Sequence, residues 1–238
     1  MRIIIQARMT STRLPGKVLL PLCGDTVLGI MLRRLEAFKD AIIIATTDDG
    51  SEAPIVAWCE EHGIPCHRGS TEDVLSRYYN AAVAFGERGT IIRLTSDCPL
   101  IDPEVIRAML DQFDSGAYDY LSNTTSRTFP RGLDTEIFTF EALKSAHEKA
   151  LLPLEREHVT PYIHTTHKEQ FRIGQFADTA DHSRYRLTLD EPDDYAMIQA
   201  LYEKLGCRTD FDYHTLVDTL EAHPKIAAMN AHVEQKKS

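Results

Sequence analysis

The chain has 238 residues, 43% of them hydrophobic and 26% charged, a composition typical of a globular protein with one large core. Lysine and arginine total 26 against 36 aspartate and glutamate residues, and the net charge of −10 argues against nucleic-acid binding. No stretch approaches the roughly 18 consecutive apolar residues that a membrane span needs, so we expect no membrane partner.

The five cysteines are odd in number, irregularly spaced and free of any C-x-x-C pair: Cys23, Cys59, Cys66, Cys98 and Cys207. This pattern predicts reduced thiols in a cytoplasmic protein. Arg8 and Arg13 interrupt the apolar start of the chain, which argues against a signal peptide. We expect the last five residues, 234–238, to form a frayed tail.

Predicted strands and helices alternate from residue 1 to about residue 113. Runs rich in β-branched residues, typical of buried strands, occupy 2–7, 41–47 and 90–96. Helical spacing or helix-end signals predict helices over 25–38, 51–63, 71–86 and 102–113. The alternation predicts an α/β fold with a doubly wound, mostly parallel sheet, which binds ligands at the carboxyl ends of its strands.

Beyond residue 118 the alternation weakens, and we interpret residues 118–180 as an insertion in a single domain that spans 1–238. The insertion has predicted strands at 132–140 and 171–176 and predicted helices at 140–151 and 154–166, the latter ending or bending near Pro161. A strand at 185–190 is predicted to return to the main sheet, and a helix follows it at 191–206.

The segment QARMTSTRLPGK, residues 6–17, places three cations and no acid directly behind the first predicted strand. It lacks the first glycine and the final hydroxyl of the Walker A motif, and the chain has no G-x-G-x-x-G. Arg8 and Arg13 can still bind phosphate through paired donors, and Lys17 supplies a point charge. The segment is therefore either a site for one small anion or a solvated basic loop.

The same segment resembles the signature A-R-x-x-S-x-R-L-P-x-K-x-L of the cytidylyltransferases that activate acidic sugars, the CMP-sialate and CMP-KDO synthetases. The matching residues are Ala7, Arg8, Ser11, Arg13, Leu14, Pro15, Lys17 and Leu19. REHVTPYI (156–163) and GLDTEIF (132–138) are similar to the spore-coat polysaccharide F-type branch. The resemblance implies a Rossmann-like nucleotidyltransferase fold in which Ala7, Arg8, Ser11, Thr12, Arg13 and Lys17 bind the nucleotide.

Two aspartates follow predicted strands and are candidate metal ligands. Asp97 lies in TSDCPLIDP (95–103), and the resemblance implies that it binds the catalytic Mg²⁺ beside Arg8 and Lys17. Asp190, in RLTLDEPDDY (186–195), resembles a second aspartate of the same metal site. Each could instead cap a helix, and we predict that Asp102 is the cap and Asp97 the ligand.

A looser match concerns RGSTEDVLSRYYNAA, residues 68–82. The resemblance implies that Gly69, Ser70 and Asp73 lie near the nucleotide, although Thr71 as a helix cap is a competing explanation for this stretch. The ATTDD segment, 45–49, follows the second predicted strand and is a candidate for contacts with the base or ribose.

The insertion carries the candidate sugar-binding residues. Its cations could pair with the carboxylate of an acidic sugar and its acids could accept sugar hydroxyls; the candidates are Arg131, Asp134, Glu136, Arg156 and His158. A zinc site built from His158, His164 and His167 is a weaker alternative, because the spacing H-x5-H-x2-H is unlike usual zinc patterns.

The resemblance implies a cytidylyltransferase that forms a CMP-sugar and pyrophosphate from CTP and a 2-keto-3-deoxy acid sugar, for a surface polysaccharide or glycan. It also implies Mg²⁺ as cofactor and a homodimer whose inserted lobe serves sugar binding and dimerisation. Two alternatives stay open. A glycosyltransferase would share the layout but usually carries a D-x-D motif, and no clear one follows a predicted strand here. A catalytically silent protein would bind CTP without releasing pyrophosphate.

Overall fold

The first strand, β1, is an interior strand of a seven-stranded sheet in a computed structural model that describes residues 1–235. In space the strands run β5-β4-β1-β6-β8-β7-β9. They comprise β1 (Arg2–Gln6), β4 (Ile42–Thr46), β5 (Cys66–Arg68), β6 (Thr90–Thr95), β7 (Tyr120–Ser122), β8 (Glu136–Thr139) and β9 (Ile173–Gln175), while β2 (Pro21–Leu22) and β3 (Asp25–Thr26) form a separate hairpin. Within the sheet only β8 pairs antiparallel with its neighbours, which confirms the mostly parallel α/β fold.

Helices cover both faces of this sheet. They comprise α1 (Val27–Arg34), α2 (Ala53–His62), α3 (Val74–Ala84), α4 (Pro103–Phe113), α5 (Phe140–Lys149), α6 (Pro153–His158), α7 (Pro192–Lys204), α8 (Tyr213–Ala222) and α9 (Pro224–Ala227). Alternate residues of β1 point to opposite faces, so Ile3 and Ile5 join one buried cluster and Ile4 joins another. This two-sided burial explains the uninterrupted apolar run in β1.

Side chains cap α1, α3 and α4, and the cap of α4 is the predicted one. Thr26 accepts a hydrogen bond from Gly29 N and caps α1, and Asp102 accepts one from Glu104 N and caps α4. The competing explanation for residues 68–82 is wrong, because Asp73 rather than Thr71 caps α3, through a bond from Ser76 N. Thr71 instead donates its hydroxyl to Asp49 Oδ2 at 2.8 Å.

Residues 118–180 contribute β7, β8 and β9 to the same sheet as the first half of the chain. The strand predicted at 185–190 does not form. This segment makes only an isolated bridge between Arg186 and Arg131, because its backbone bonds go to Arg131 and Asp97, which lie in loops rather than in strands. It passes the carboxyl end of β6, where Leu189 N donates to Asp97 O at 2.8 Å.

Two of the five cysteines are not reduced, contrary to the sequence prediction. Cys23, in the turn of the β2–β3 hairpin, and Cys207, after α7, form a disulfide with Cα atoms 5.4 Å apart. The hairpin packs against the end of α7 across 184 residues of sequence, a contact that cysteine spacing cannot reveal. Cys59, Cys66 and Cys98 are free thiols.

Within residues 1–235, no helix combines the length and apolar character needed to cross a bilayer. Of the predicted frayed tail, residues 236–238 lie outside the described residues.

Candidate active site

Two adjoining cavities open at the carboxyl edge of β1 and β6. The smaller, about 280 Å³, lies behind the 6–17 loop and is called the loop cavity. The larger, about 870 Å³, extends over β8 and α6 and is called the large cavity. The wall that they share is formed by Arg13, Arg93, Thr95, Asp97, His158 and Asp190. Any group transferred from a ligand in one cavity to a ligand in the other would pass these side chains.

The 6–17 loop wraps the loop cavity with five of its predicted binding residues in addition to Ala7. Arg8, Ser11, Thr12, Arg13 and Lys17 all line it. Gly16 turns the chain with φ of +67°, a left-handed conformation that favours glycine, and its N–H donates to Met9 O at 2.9 Å. This turn starts the short 3₁₀ segment Lys17–Leu19 and directs Lys17 inward, where it is buried.

Lys17 and the two candidate metal ligands meet at one point. The Lys17 Nζ atom lies 2.8 Å from Asp97 Oδ2, 2.8 Å from Asp190 Oδ1 and 2.6 Å from Leu189 O. Burial lowers the pKa of Lys17, but the two carboxylates outweigh it and the net pKa is raised. The three N–H groups of the ammonium are therefore all engaged, and Asp97 and Asp190 converge on a single cation position.

Further cations hold Asp190 in this arrangement. Arg186 Nη2 lies 2.9 Å and Arg13 Nη2 lies 3.3 Å from Asp190 Oδ2. Burial raises the pKa of Asp190, but Lys17, Arg13 and Arg186 outweigh it and the net pKa is lowered. The alternative that Asp190 caps α7 is wrong, because the N-cap residue is Glu191, whose N–H donates to Asp194 Oδ2.

Gly132 allows the 185–190 segment to cross close to the backbone of residues 131–132 at the edge of the large cavity. Gly132 has φ of +103°, and a Cβ atom there would come within 2.5 Å of the Leu187 carbonyl. The close crossing lets Arg131 N donate to Tyr185 O and Leu187 N donate to Arg131 O. Gly132 thereby keeps Arg131 next to the segment that carries Asp190.

Three arginines line the large cavity from β6 and the loop before β8. Arg93 pairs with Glu136, and Arg127 forms a bidentate pair with Asp134 at 2.5 and 2.8 Å. Within residues 1–235 the guanidinium of Arg131 has no hydrogen-bond or ion-pair partner. Arg131 is thus the cation on this wall that is free to bind a ligand.

Glu136 forms the buried base of the large cavity. One oxygen accepts from Tyr120 Oη and Thr160 Oγ1, both at 2.6 Å, and the other accepts from Arg93. Burial raises the pKa of Glu136, but Arg93 and the two hydroxyls outweigh it and the net pKa is lowered. Both carboxylate oxygens already have donors, so this side chain shapes the wall.

Several predicted site residues lie outside both cavity linings. Asp73 pairs with Arg156 between α3 and α6, and Arg156 also donates to His147 O at 2.8 Å. Gly69 N donates to Thr46 O at 3.0 Å. These three residues make contacts between elements of the fold, and their assignment to ligand binding stays a prediction.

The histidines do not form a metal site. His158 lies in the shared wall and His164 lines only the large cavity. Within the part of the chain that is described, no three histidine, cysteine or acidic side chains cluster in a way that could hold a metal. The Asp97–Asp190 pair would therefore need oxygen ligands from a substrate to complete a metal site.

Sequence reasoning missed Val74 and Arg77, which line the loop cavity from α3, and Arg127, which lines the large cavity. A signal for Arg77 was present. It lies three residues after Val74 and four before Ala81, so helical spacing places this arginine on the buried face of α3.

Comparisons with known proteins show the family of the chain. A cytidylyltransferase family model matches residues 2–219. The chain is 39% identical over 236 residues to the spore coat polysaccharide biosynthesis protein SpsF of Bacillus subtilis (strain 168), covering 94% of this chain and 95% of SpsF. The structure of a cytidylyltransferase from Leptospira borgpetersenii serovar Hardjo-bovis (strain JB197) matches with a TM-score of 0.90 and 35% identity, covering 100% of this chain and 98% of that chain.

A more distant structure, that of CMP:2-keto-3-deoxy-manno-octonic acid synthetase complexed with CTP, has a TM-score of 0.63 at 18% identity. It covers 86% of this chain and 98% of that chain, and it shows that the fold is shared. The predicted family resemblance and the Rossmann-like nucleotidyltransferase fold are both confirmed. The chain belongs to the cytidylyltransferase family and is a nucleotidyltransferase.

Proposed function

We propose that this protein transfers the cytidylyl group of CTP to a hydroxyl of an acidic sugar of the 2-keto-3-deoxy type, for surface polysaccharide or glycan synthesis. The acceptor oxygen forms a bond to the α-phosphorus, the α–β phosphoanhydride bond breaks, and pyrophosphate leaves. The observation that carries this proposal is the shared wall, where Arg13, Asp97 and Asp190 lie between two cavities.

The nucleotide belongs in the loop cavity. Arg8, Ser11, Thr12 and Arg13 supply cationic and hydroxyl donors along one side of it, as a triphosphate requires. In this proposal the loop holds the β- and γ-phosphates, so the leaving pyrophosphate is neutralised as its charge develops. Positioning the α-phosphorus at the shared wall accounts for much of the rate.

The residues at the cation position fit Mg²⁺. Two carboxylates already converge on one cation, and Mg²⁺ in proteins commonly takes one or two carboxylates with substrate phosphates as further ligands. We propose that Asp97 and Asp190 hold the ion once the triphosphate is bound and that the Lys17 ammonium then moves to the phosphates. When bound, the ion supplies charge neutralisation at the α-phosphate.

The acidic sugar belongs in the large cavity. Arg131 has no ion-pair partner among residues 1–235, whereas Arg93 and Arg127 are paired with acids. An acceptor carboxylate bound to Arg131 would place the sugar against His158 and the shared wall. We therefore assign the carboxylate contact to Arg131, and we assign Arg156 to the packing of α6 on α3.

A second copy of the chain is the proposed protein partner. The connection between α5 and α6 and the first turn of α6 expose three leucines, Leu151 at 88%, Leu152 at 50% and Leu154 at 42%, and Leu154 also lines the large cavity. Contact between two copies at this rim would cover apolar surface next to the acceptor. Light scattering after size exclusion should give twice the chain mass, and Leu151→Glu with Leu152→Glu should give a monomer.

A pyrophosphate-release assay tests the function. Each of the four ribonucleoside triphosphates is incubated with Mg²⁺ and a panel of ulosonic and nonulosonic acids, and Asp97→Asn measures the background. We expect release only with CTP and an acidic acceptor. Release with ATP or GTP but not with CTP, or with neutral sugars alone, would reject the proposal.

A further inference from the structure

A buried arginine in α3 lacks the partners that its charge requires. Arg77 is 2% exposed, and its Nε and Nη1 atoms find no hydrogen-bond acceptor anywhere in residues 1–235. Buried charges in proteins are normally paired, because removing an ion from water without compensation costs several kcal/mol. The donors of Arg77 are therefore available to a ligand.

The side chain reaches the loop cavity. Arg77 lines it together with Val74 from the same helix and Ala7 from the end of β1. Its stem packs under Gly69, where an added Cβ atom would lie 3.2 Å from Arg77 Cγ. The lack of a side chain at Gly69 leaves room for the arginine, which gives this glycine a positioning role.

The surroundings of Arg77 differ from those of the phosphate-binding loop. Burial lowers the pKa of Arg77 and Arg8 adds to this, whereas Tyr78, Asp48 and Asp49 act in the opposite direction. The carboxylates of Asp48 and Asp49 oppose the approach of a further phosphate but do not oppose an uncharged ring. Apolar surface from Val74 and Ala7 beside the guanidinium also suits a ring.

We propose that Arg77 reads the base of the nucleotide by donating to the adjacent acceptors O2 and N3 of cytosine. The planar fork of a guanidinium matches two neighbouring acceptors. Uracil carries a hydrogen on N3, so its N3–H would point at an N–H of Arg77. Two donors cannot hydrogen-bond to each other, and the buried guanidinium would remain without a partner there. Arg77 is thus a specificity-determining residue, and this inference rests on the proposed function.

Calorimetry on Arg77→Met tests the assignment, because methionine keeps the stem and removes the donors. We expect the affinities for CTP and CMP to fall by the same factor, about tenfold to a hundredfold, as for loss of a charge-assisted bond. UTP and tripolyphosphate should bind as they do to the wild type, so the preference for CTP over UTP should collapse. A loss for CTP and tripolyphosphate without a loss for CMP would place a phosphate at Arg77 and overturn the proposal.

Stability provides the second readout. Arg77→Met should unfold no earlier than the wild type without ligands, because it removes an unpaired buried charge. Arg34→Met is the matched control, since Arg34 is also buried in a helix but donates to Ile101 O, Thr209 O and Phe211 O. Arg34→Met should have a lower melting temperature than the wild type and an unchanged ratio of CTP affinity to UTP affinity.

Two outcomes separate this inference from the function that it rests on. If Arg77→Met melts well below the wild type and binds all four ligands normally, Arg77 is structural and the proposal fails while the function stands. If the wild-type protein does not bind CTP, the proposed function fails and the base-reading role fails with it.

Discussion

Substitution of Lys17 by methionine should destabilise the protein, because it leaves two carboxylates facing each other. The ammonium of Lys17 has three acceptors within 2.8 Å, and its side chain is only 10% exposed. Removing one partner of a buried ion pair typically costs 3–5 kcal/mol. Asp190 would keep Arg13 and Arg186, and Asp97 would keep a hydrogen bond from Thr95, so we expect about 2–3 kcal/mol.

Thermal unfolding without nucleotide or divalent metal measures this effect. For a chain of this size, 1 kcal/mol shifts the melting temperature by roughly 2–4 °C, so Lys17→Met should melt about 5–10 °C below the wild type. Lys39→Met is the matched control. Lys39 also lies 2.8 Å from a carboxylate oxygen, that of Glu36, but 59% of its side chain is exposed and its loss should hardly change the melting temperature. Equal melting of the two variants would refute the three-way contact of Lys17.

Asp97→Asn should reduce Mg²⁺-dependent turnover by orders of magnitude with the fold retained. The double variant with Asp190→Asn should turn over little more slowly than either single variant. Near-wild-type turnover in both single variants would show that neither carboxylate serves the reaction. Glu136→Gln should make the free energy of unfolding less dependent on pH in the acid range. The folded pKa of Glu136 is lowered, so its stabilisation is present above the ordinary value of 4.5 and is lost as the pH falls through the folded value; urea unfolding from neutral to acid pH should show a smaller change in the free energy of unfolding than in the wild type, and an unchanged slope would contradict the assignment. Arg131→Met should raise the KM for the acid acceptor while leaving CTP affinity intact, and Arg184→Met, an exposed arginine paired with Glu221, should alter neither, so equal effects of the two substitutions would move the acceptor carboxylate elsewhere.

The sequence predicted the part of the site that is continuous along the chain. The 6–17 loop follows β1 directly, and Asp97 follows β6, so strand ends and local motifs were enough to bring them together. Asp190 reached the same point although the strand predicted before it did not form. Asp190 is positioned by the close crossing of its segment at Gly132. Hydrophobic periodicity in the sequence does not predict such a crossing.

The other site residues depend on pairings between distant elements. Arg156 has the charge for a sugar carboxylate, yet Asp73 lies 83 residues away in sequence and takes that charge in the fold. Arg131 has no ion-pair partner within the described residues, since the nearby Asp134 pairs with Arg127 instead. The packing of distant elements decides which cation stays unpaired. Neither the composition nor the residue spacing of the sequence predicts this.

The fate of the phosphorus atoms of CTP tests the central claim most directly. The enzyme is incubated with Mg²⁺, an acidic sugar and CTP labelled with ³²P at either the α or the γ position, and the products are separated by anion-exchange chromatography. We predict that the α label enters a sugar-containing product and that the γ label appears only in pyrophosphate. Release of the γ label as inorganic phosphate, or an α label found only in CDP or in free CMP with no sugar attached, would contradict cytidylyl transfer.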